Sequence, residues 1–411
     1  MNYSQRELTH KDLYEILEAS KYKNELNLSF TNISQLLHTV EEDDDWSDVD
    51  TDNHTPEEDE TVQELPLNIK KTFFAILRNI KTLNLDGNNI SSSLHMILPH
   101  MKNIRSLSLR NNGISAANII ELLTAVSNSN IEELYLSQNN LMDAGAAILA
   151  NNIPKSLKLL HLSYNIIGLK GADALARKLK NNRTLESFSI MDNPINMEGI
   201  FRLFEAFKTM RLNTLIVGFT NRFQNVSIPY TKEELEGYEM INTKTFEEIV
   251  AEYLKETTLK ALVVFGLKSV RLVLESLHNN FLLDSLSILN AHPDNTFNQE
   301  YGCIEELAKR NITITTLLID RVTRYLDEFG SRNKMIQHRK QQIFKDILTV
   351  RRNLFIMNEL PIELHYHVVQ VMCQYFSSAE IKLIVGRLVR RESLGVCMKL
   401  RDYLLYCIEN K

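Results

Sequence analysis

Glycine and proline are scarce in this chain of 411 residues. Together they make up about 5% of it, against roughly 12% in an average protein. That shortage excludes a collagen-like helix, long flexible linkers and a turn-dense all-β fold. Cysteine is sparse too: Cys303, Cys373, Cys397 and Cys407 form no CxxC pair. Free thiols in a reducing compartment are expected, not a disulfide framework. No uncharged apolar run approaches the ~18 residues that a membrane helix needs, so no membrane contact is expected. The opening MNYSQRELTH lacks a basic start followed by an apolar core. It predicts no ordinary secretory signal and a cytoplasmic protein. No P-loop, GxSxG, HExxH or kinase motif set occurs. The chain therefore reads as non-enzymatic, with no catalytic residue, no cofactor and no metal; the alternative is an enzyme with an unrecognised site in the C-terminal segment.

What is present is an ordinary globular balance, with 44% hydrophobic and 24% charged residues. At ~150 residues per domain, the length suggests two to three domains. The net charge of −6 hides an asymmetry. Residues 41–60, EEDDDWSDVDTDNHTPEEDE, hold twelve acids and no Lys or Arg. Residues 331–411 carry a net charge of +7, so the middle is nearly neutral.

That middle is repetitive. IKTLNLDGNNI, IRSLSLRNNGI, IEELYLSQNNL, LKLLHLSYNII and LESFSIMDNPI each read LxLxxNxI or a close variant. Their first apolar positions are Leu83, Leu107, Leu134, Leu160 and Phe188, at spacings of 24, 27, 26 and 28 residues. An LxL pair has period two, so it predicts a short strand with one buried face. The asparagines Asn88, Asn112, Asn139, Asn165 and Asn193 follow each strand. Buried there, they would pair the orphaned backbone groups of neighbouring turns as a structural ladder. The intervening segments, such as AGAAILANNI and KGADALARKLKNN, have helical period. One strand–helix unit cannot bury its apolar face alone, but a stack can. The prediction is an α/β solenoid.

The phrases LYLSQNNLMDAGAAILA and LHLSYNIIGLKGADALA resemble leucine-rich repeats of the ribonuclease-inhibitor type. That resemblance implies a horseshoe with a parallel β-sheet on its concave side and helices outside. Degraded units extend the array. ELNLSFTNIS matches at Leu26, Leu28 and Ile33, with Thr31 in place of Asn. LNTLIVGFT, LKALVVFGL, LDSLSILNA and ITTLLIDRV keep the apolar pair and lose the Asn. About ten strands result. Two steps are oversized. Leu26 to Leu83 is 57 residues, about two units, and contains an acidic insertion at about 41–64. Leu215 to Leu262 is 47 and contains a second insertion at about 219–240. The repeat domain is placed at 1–330.

Alternation places Asp86, Arg110, Tyr135, His161 and Ser163 on the open strand face, as the candidate partner-binding residues. Farther along, Ile216, Val263, Phe265, Leu289 and Leu318 make that face apolar. The strand pattern stops near Gly330, and 331–411 reads as an α-helical C-terminal domain. Within it, Leu360, Pro361, Glu363 and Leu364 resemble the Leu-Pro-x-Glu-Leu start of an F-box. An F-box would imply a substrate adaptor of a host ubiquitin ligase. Pro361 is equally suited to start a plain capping helix.

Other chemistry is weaker. Asp48, Asp50 and Asp52 begin a calcium-loop pattern, but Asn53 replaces its Gly and Asp59 its closing Glu. His365 and His367 are two apart, which does not share a helix face. The basic residues of the C-terminal segment alternate with apolar ones, so nucleic acid is not expected as a partner. A protein partner is. Asn is 39 of the 411 residues. With the degraded, insert-bearing repeats, this resembles bacterial effectors delivered by type IV secretion, which would place the chain in a host cytosol.

Like-charge blocks repel and stay open. Deleting 42–60 should therefore leave the thermal unfolding midpoint unchanged, and added calcium should not raise it. A large drop in midpoint would show that the acidic run is part of the fold.

Overall fold

A computed structural model describes residues 9–20, 23–31, 65–126, 129–219, 241–277, 282–289 and 313–319, with a few positions between and beyond them, the last at 338. The acidic insertion, most of the second insertion and the F-box-like Leu360, Pro361, Glu363 and Leu364 lie outside the described residues.

Among the described residues, helix and strand alternate as far as β9. α1 (His10–Ser20) precedes β1 (Glu25–Asn27), α2 (Leu65–Leu77) precedes β2 (Thr82–Asn84), and α3 (Leu94–Ile97) precedes β3 (Ser106–Ser108). Next come α4 (Ala116–Val126), β4 (Glu133–Tyr135), α5 (Met142–Asn151), β5 (Leu159–His161), α6 (Leu169–Leu179) and β6 (Ser187–Ser189). α7 (Met197–Phe207), β7 (Thr214–Gly218), α8 (Phe246–Glu256), β8 (Ala261–Phe265), α9 (Arg271–Ser276), β9 (Ser285–Leu289) and β10 (Thr316–Ile319) follow. No helix among the described residues is long and apolar enough to cross a membrane.

The chain forms two compact units. One runs to Tyr253 and includes Val263–Leu267; the other holds Leu254–Leu262 and continues from Lys268. In the first unit, β1 to β7 pair in parallel and in chain order. Leu26, Leu83, Leu107, Leu134, Leu160, Phe188 and Leu215 stand opposite one another across the strands. All seven are buried, as period-two alternation requires. In the second unit β9 and β10 pair in parallel, with Leu286 opposite Leu317 and Ile288 opposite Ile319.

One of the two oversized steps needs a correction. Leu26 stands directly opposite Leu83, so the 57-residue step is one unit, not two. Its described part folds as α2, and β1 goes straight to β2. The 47-residue step behaves alike. Phe219 N donates to Phe265 O at 3.2 Å, which closes β7 onto β8 despite the insertion. At that junction Gly218 has φ +121°, and a Cβ on it would lie 2.2 Å from the Phe265 carbonyl oxygen. Only glycine allows so close an approach.

Helix starts follow local chemistry. Thr9 N donates to Asp12 Oδ2 (2.9 Å) and Asp12 N to Thr9 Oγ1 (3.2 Å), a reciprocal cap on α1. Thr245 and Glu248 cap α8 the same way. α6 is capped from the repeat before it, where Asp143 Oδ1 accepts from Gly168 N (2.7 Å) and Gly171 N (2.9 Å). A carboxylate there also meets the positive end of the helix dipole.

The asparagines tie unit to unit. Asn112 Oδ1 accepts from Asn88 N (3.0 Å) and Ile90 N (3.3 Å), while its Nδ2 donates to Leu85 O (2.9 Å). Asn139 Oδ1 accepts from Asn112 N and Ile114 N, both at 3.0 Å, and its Nδ2 donates to Leu109 O at 2.9 Å. Asn193 Oδ1 accepts from Asn165 N (2.8 Å) and Ile167 N (3.0 Å). Thr31 stands at the head of the series and donates its N–H to Asn88 Oδ1. The residue before each of these positions is left-handed: Phe30, Gly87, Asn111, Gln138, Tyr164 and Asp192 have φ between 52° and 69°. A non-glycine residue pays about 1–2 kcal/mol there.

One rung differs. After Asn139, the left-handed residue is Met142, and its N–H donates to the Asn165 backbone carbonyl at 3.0 Å. Asn165 Oδ1 is buried with no partner among the described residues. Its Nδ2 still donates to Leu136 O (2.8 Å) and Leu162 O (3.0 Å).

A second asparagine series lies in the other unit, three residues before the buried strand-entry position. Asn280 Oδ1 accepts from Leu283 N (2.9 Å) and Asn311 Oδ1 from Ile314 N (3.0 Å). Asn280 Nδ2 reaches back to Leu254 O (2.6 Å) and Asn311 Nδ2 to Leu277 O (3.1 Å).

The two ladder rungs should separate on substitution. Asn139→Ala strands two backbone N–H groups as well as carbonyls, whereas Asn165→Ala strands carbonyls only. At roughly 1–3 kcal/mol per unpaired buried group, Asn139→Ala should be the more destabilising of the two in urea unfolding. Equal losses would mean that Asn165 Oδ1 has a partner after all.

Candidate functional site

Register lays the open-face side chains in rows across the sheet. One row reads Asn84, Ser108, Tyr135, His161, Ser189 and Ile216. Asp86 and Arg110 sit just past the ends of β2 and β3. Of the five residues singled out by alternation, Asp86, Arg110, Tyr135 and His161 are half-buried on this face. Ser163 is buried, only 6% exposed. Its hydroxyl shares a 2.6 Å hydrogen bond with Ser189, also buried. It is part of the floor of the face.

Arg110, Tyr135 and His161 form one cluster over three neighbouring strands. The Arg110 guanidinium lies over the Tyr135 ring, 5.0 Å from its centroid. The Tyr135 and His161 rings meet edge to face at 5.0 Å. Arg110 Nη2 lies 3.4 Å from His161 Nδ1. A guanidinium can only donate, so His161 Nδ1 is the acceptor and the imidazole is neutral, with its proton on Nε2. Burial, reinforced by the Arg110 charge, lowers the His161 pKa from 6.5 to about 4. Burial and the nearby Glu133 raise the Tyr135 phenol above its usual value.

Two acids flank the cluster. Asp86 Oδ1 accepts from Ser108 Oγ (2.6 Å) and Arg110 N (2.8 Å). Glu133 Oε2 accepts from Ser106 Oγ (2.7 Å) and Tyr135 OH (3.3 Å). Neither carboxylate forms an ion pair with the Arg110 guanidinium. Arg110 Nε and His161 Nε2 are buried and have no hydrogen-bond partner among the described residues. Sequence pattern found these residues one strand at a time. It did not show that Arg110 reaches across Tyr135 to His161, 51 residues away.

The apolar positions behave differently. Ile216, Val263 and Phe265 of the first unit are half-buried. In the second unit Leu289 is half-buried and Leu318 is 44% exposed. Among the described residues no group of three or more His, Cys, Asp or Glu side chains could hold a metal ion.

Two buried carboxylates on the helices are paired within the protein. Asp173 and Glu198, both buried, receive Arg202 at 2.8 and 2.7 Å. Arg177 closes on Asp173 at 2.7 Å. Asn242 N donates to Glu198 Oε2 at 2.9 Å, which ties the chain leaving the second insertion to α7.

A family profile described as Leucine Rich repeat matches residues 127–150 and 154–176, the stretch from the end of α4 to α6. The chain contains leucine-rich repeats. Its repeat array is an α/β solenoid of parallel strands. Similar proteins include ribonuclease inhibitor of Mus musculus, 36% identical over 25% of this chain and 24% of that protein. NACHT, LRR and PYD domains-containing protein 4C of Mus musculus is 32% identical over 34% of this chain and 15% of that protein. FERM domain-containing protein C of Dictyostelium discoideum is 31% identical over 33% of this chain and 10% of that protein. The aligned part thus spans a quarter or less of each of these relatives. Among solved structures, the tropomodulin C-terminal domain of Caenorhabditis elegans aligns with a TM-score of 0.27 and 15% identity, over 49% of this chain and 93% of that domain.

The His161 pKa gives a signed prediction. An unfolded histidine takes up its proton near 6.5, whereas folded His161 does so only near 4. Between these values the unfolded chain binds more protons, so stability falls as pH drops through that window. His161→Gln should flatten this part of the stability–pH curve. In Arg110→Gln, the His161 pKa read by NMR should rise, because the flanking cation is gone. It should stay below 6.5, because burial remains.

Proposed function

We propose that this protein is a binding module that holds a protein partner on the open strand face of its first unit, the concave side of a solenoid of this kind. The observation that carries this reading is the Arg110–Tyr135–His161 cluster. It is an aromatic and an arginine, the residue types that dominate interface energies, held in fixed geometry at mid-array. Such preorganisation lowers the entropy lost on binding. The buried helix carboxylates Asp173 and Glu198 support it by contrast, since both are neutralised by Arg202 within the protein. No enzyme activity is assigned. The asparagine-rich composition and insert-bearing repeats support a further placement, as a translocated effector whose partner is a host protein in the cytosol.

The test is photo-crosslinking from two positions in eukaryotic cell lysate. A crosslinker at Tyr135 should give a discrete protein adduct, and one at Lys178, exposed on α6, should not. Tyr135→Ala combined with Arg110→Glu should leave the unfolding transition close to wild type, since both side chains are part-exposed, and should weaken capture of that adduct partner at least tenfold. Adducts from Lys178 alone, or undiminished capture by the double variant, would place the partner elsewhere.

A further inference from the structure

Resting on that reading of the open strand face, the bonding of its central cluster specifies what the partner presents. The centre has more donors than acceptors. Arg110 has no carboxylate within ion-pair distance among the described residues, and its Nε and the Nε2 of His161 have no acceptor. Tyr135 and the His161 ring hold the guanidinium in place, so its orientation is fixed before anything binds. On either side the pattern reverses. Asp86 and Glu133 each have one oxygen engaged by a hydroxyl, and the other, Asp86 Oδ2 or Glu133 Oε1, has no bond within the described protein. The face therefore reads negative, positive, negative from β2 to β4.

An uncompensated buried N–H costs on the order of 1–3 kcal/mol. Two of them in one cluster, with two flanking acids kept from neutralising the arginine, leave a demand for an acceptor that the chain does not meet itself. A carboxylate meets it, because its two oxygens match the planar fork of a guanidinium. A polyanion would meet Asp86 and Glu133 with the wrong sign.

We infer that the Arg110–Tyr135–His161 cluster receives a single carboxylate side chain of a partner protein, flanked on that partner by basic side chains that meet Asp86 and Glu133. Both orphaned N–H groups are covered in the free protein. Arg110 is only half-buried, so the carboxylate approaches the held guanidinium from its open side with Tyr135 left in place, and the Arg110 Nε and His161 Nε2 resonances report its arrival.

The test uses the full chain, labelled at arginine and histidine side chains, with four probes followed by NMR at neutral pH. The probes are the blocked peptides Lys-Ala-Glu-Ala-Lys, Lys-Ala-Gln-Ala-Lys and Glu-Ala-Lys-Ala-Glu, and the oligonucleotide hexauridylate. The first should shift the Arg110 Nε and His161 Nε2 resonances saturably, at least tenfold more tightly than the other three. Arg110→Gln should lose that tenfold, and Arg183→Gln, at an exposed site, should lose nothing. Equal binding of the glutamine peptide, tighter binding of the inverse peptide or of hexauridylate, or no saturable shift of the two resonances overturns the assignment. Should Arg110→Gln unfold, the four probes on wild-type protein decide alone. If the peptides fail while crosslinking from Tyr135 succeeds, the carboxylate is wrong and the binding face stands. If both fail, the face itself is wrong.

Discussion

The first unit depends on one constraint: every backbone N–H and C=O buried where strand turns into loop must find a partner. The three-residue strands supply too few ladder bonds to do it. A side chain that both donates and accepts has to stand at each turn, and asparagine is the shortest one that does. Asn88, Asn112, Asn139 and Asn193 each take N–H groups of the unit before them and return an N–H to its carbonyl. To aim them, the preceding residue adopts a left-handed conformation in all six turns from Phe30 to Asp192, and in five of the six it is not glycine. The strain is tolerated because the alternative is unpaired backbone in a dry core. Stability in such an array is nearly a sum of units and their interfaces, so each asparagine acts on the interface between two units and not on one unit alone.

Much of this was legible in the sequence, for a physical reason. Leucines two apart and an asparagine three after the second are a local pattern, repeated, and each repeat sees the same surroundings. Leu83, Leu107, Leu134 and Leu160 could be placed in the core from alternation alone. What escaped the sequence is what depends on the neighbouring unit. The ladder rung at Asn165 is incomplete because the turn after Asn139 is left-handed at Met142 instead, a change that no feature of Asn165 itself announces. The second asparagine series, Asn280 and Asn311, was missed because its turns lack the LxLxxN phrase. Its signal was Asn-x-x-Leu and Asn-x-x-Ile at the strand entry, a spacing shared with Asn182 and Leu185, where Asn182 Oδ1 accepts from Leu185 N at 2.8 Å.

The candidate site shows the same division. Alternation identified Asp86, Arg110, Tyr135 and His161 as face residues, because facing depends only on parity along each strand. It also named Ser163, which parity puts on that face but which its neighbours cover. Nothing in parity states how far a long side chain reaches sideways. Arg110 extends over the next strand to the one beyond, so the cluster is a property of three units in register, fixed by the pairing of Ser108 with Tyr135 and of Tyr135 with His161.

The two sides of the array treat charge differently, and that difference bears on where a partner sits. On the helices, Asp173 and Glu198 are deeply buried, which would be costly for lone carboxylates. Each is met by Arg202 at under 3 Å, and a backbone N–H completes Glu198. This arrangement holds elements together and is neutralised from within the protein. On the strand face, Arg110 is held at similar precision by an aromatic ring and a neutral imidazole, neither of which neutralises it. The nearby carboxylates bond to Ser106, Ser108 and Tyr135 instead. Were the cluster there for stability, the economical solution would be an ion pair between Arg110 and Asp86 or Glu133. The sequence has both acids at hand and the fold does not pair them. An arginine fixed in place but not neutralised contributes little to folding, which is the physical ground for proposing the strand face, and not the helices, as the binding surface.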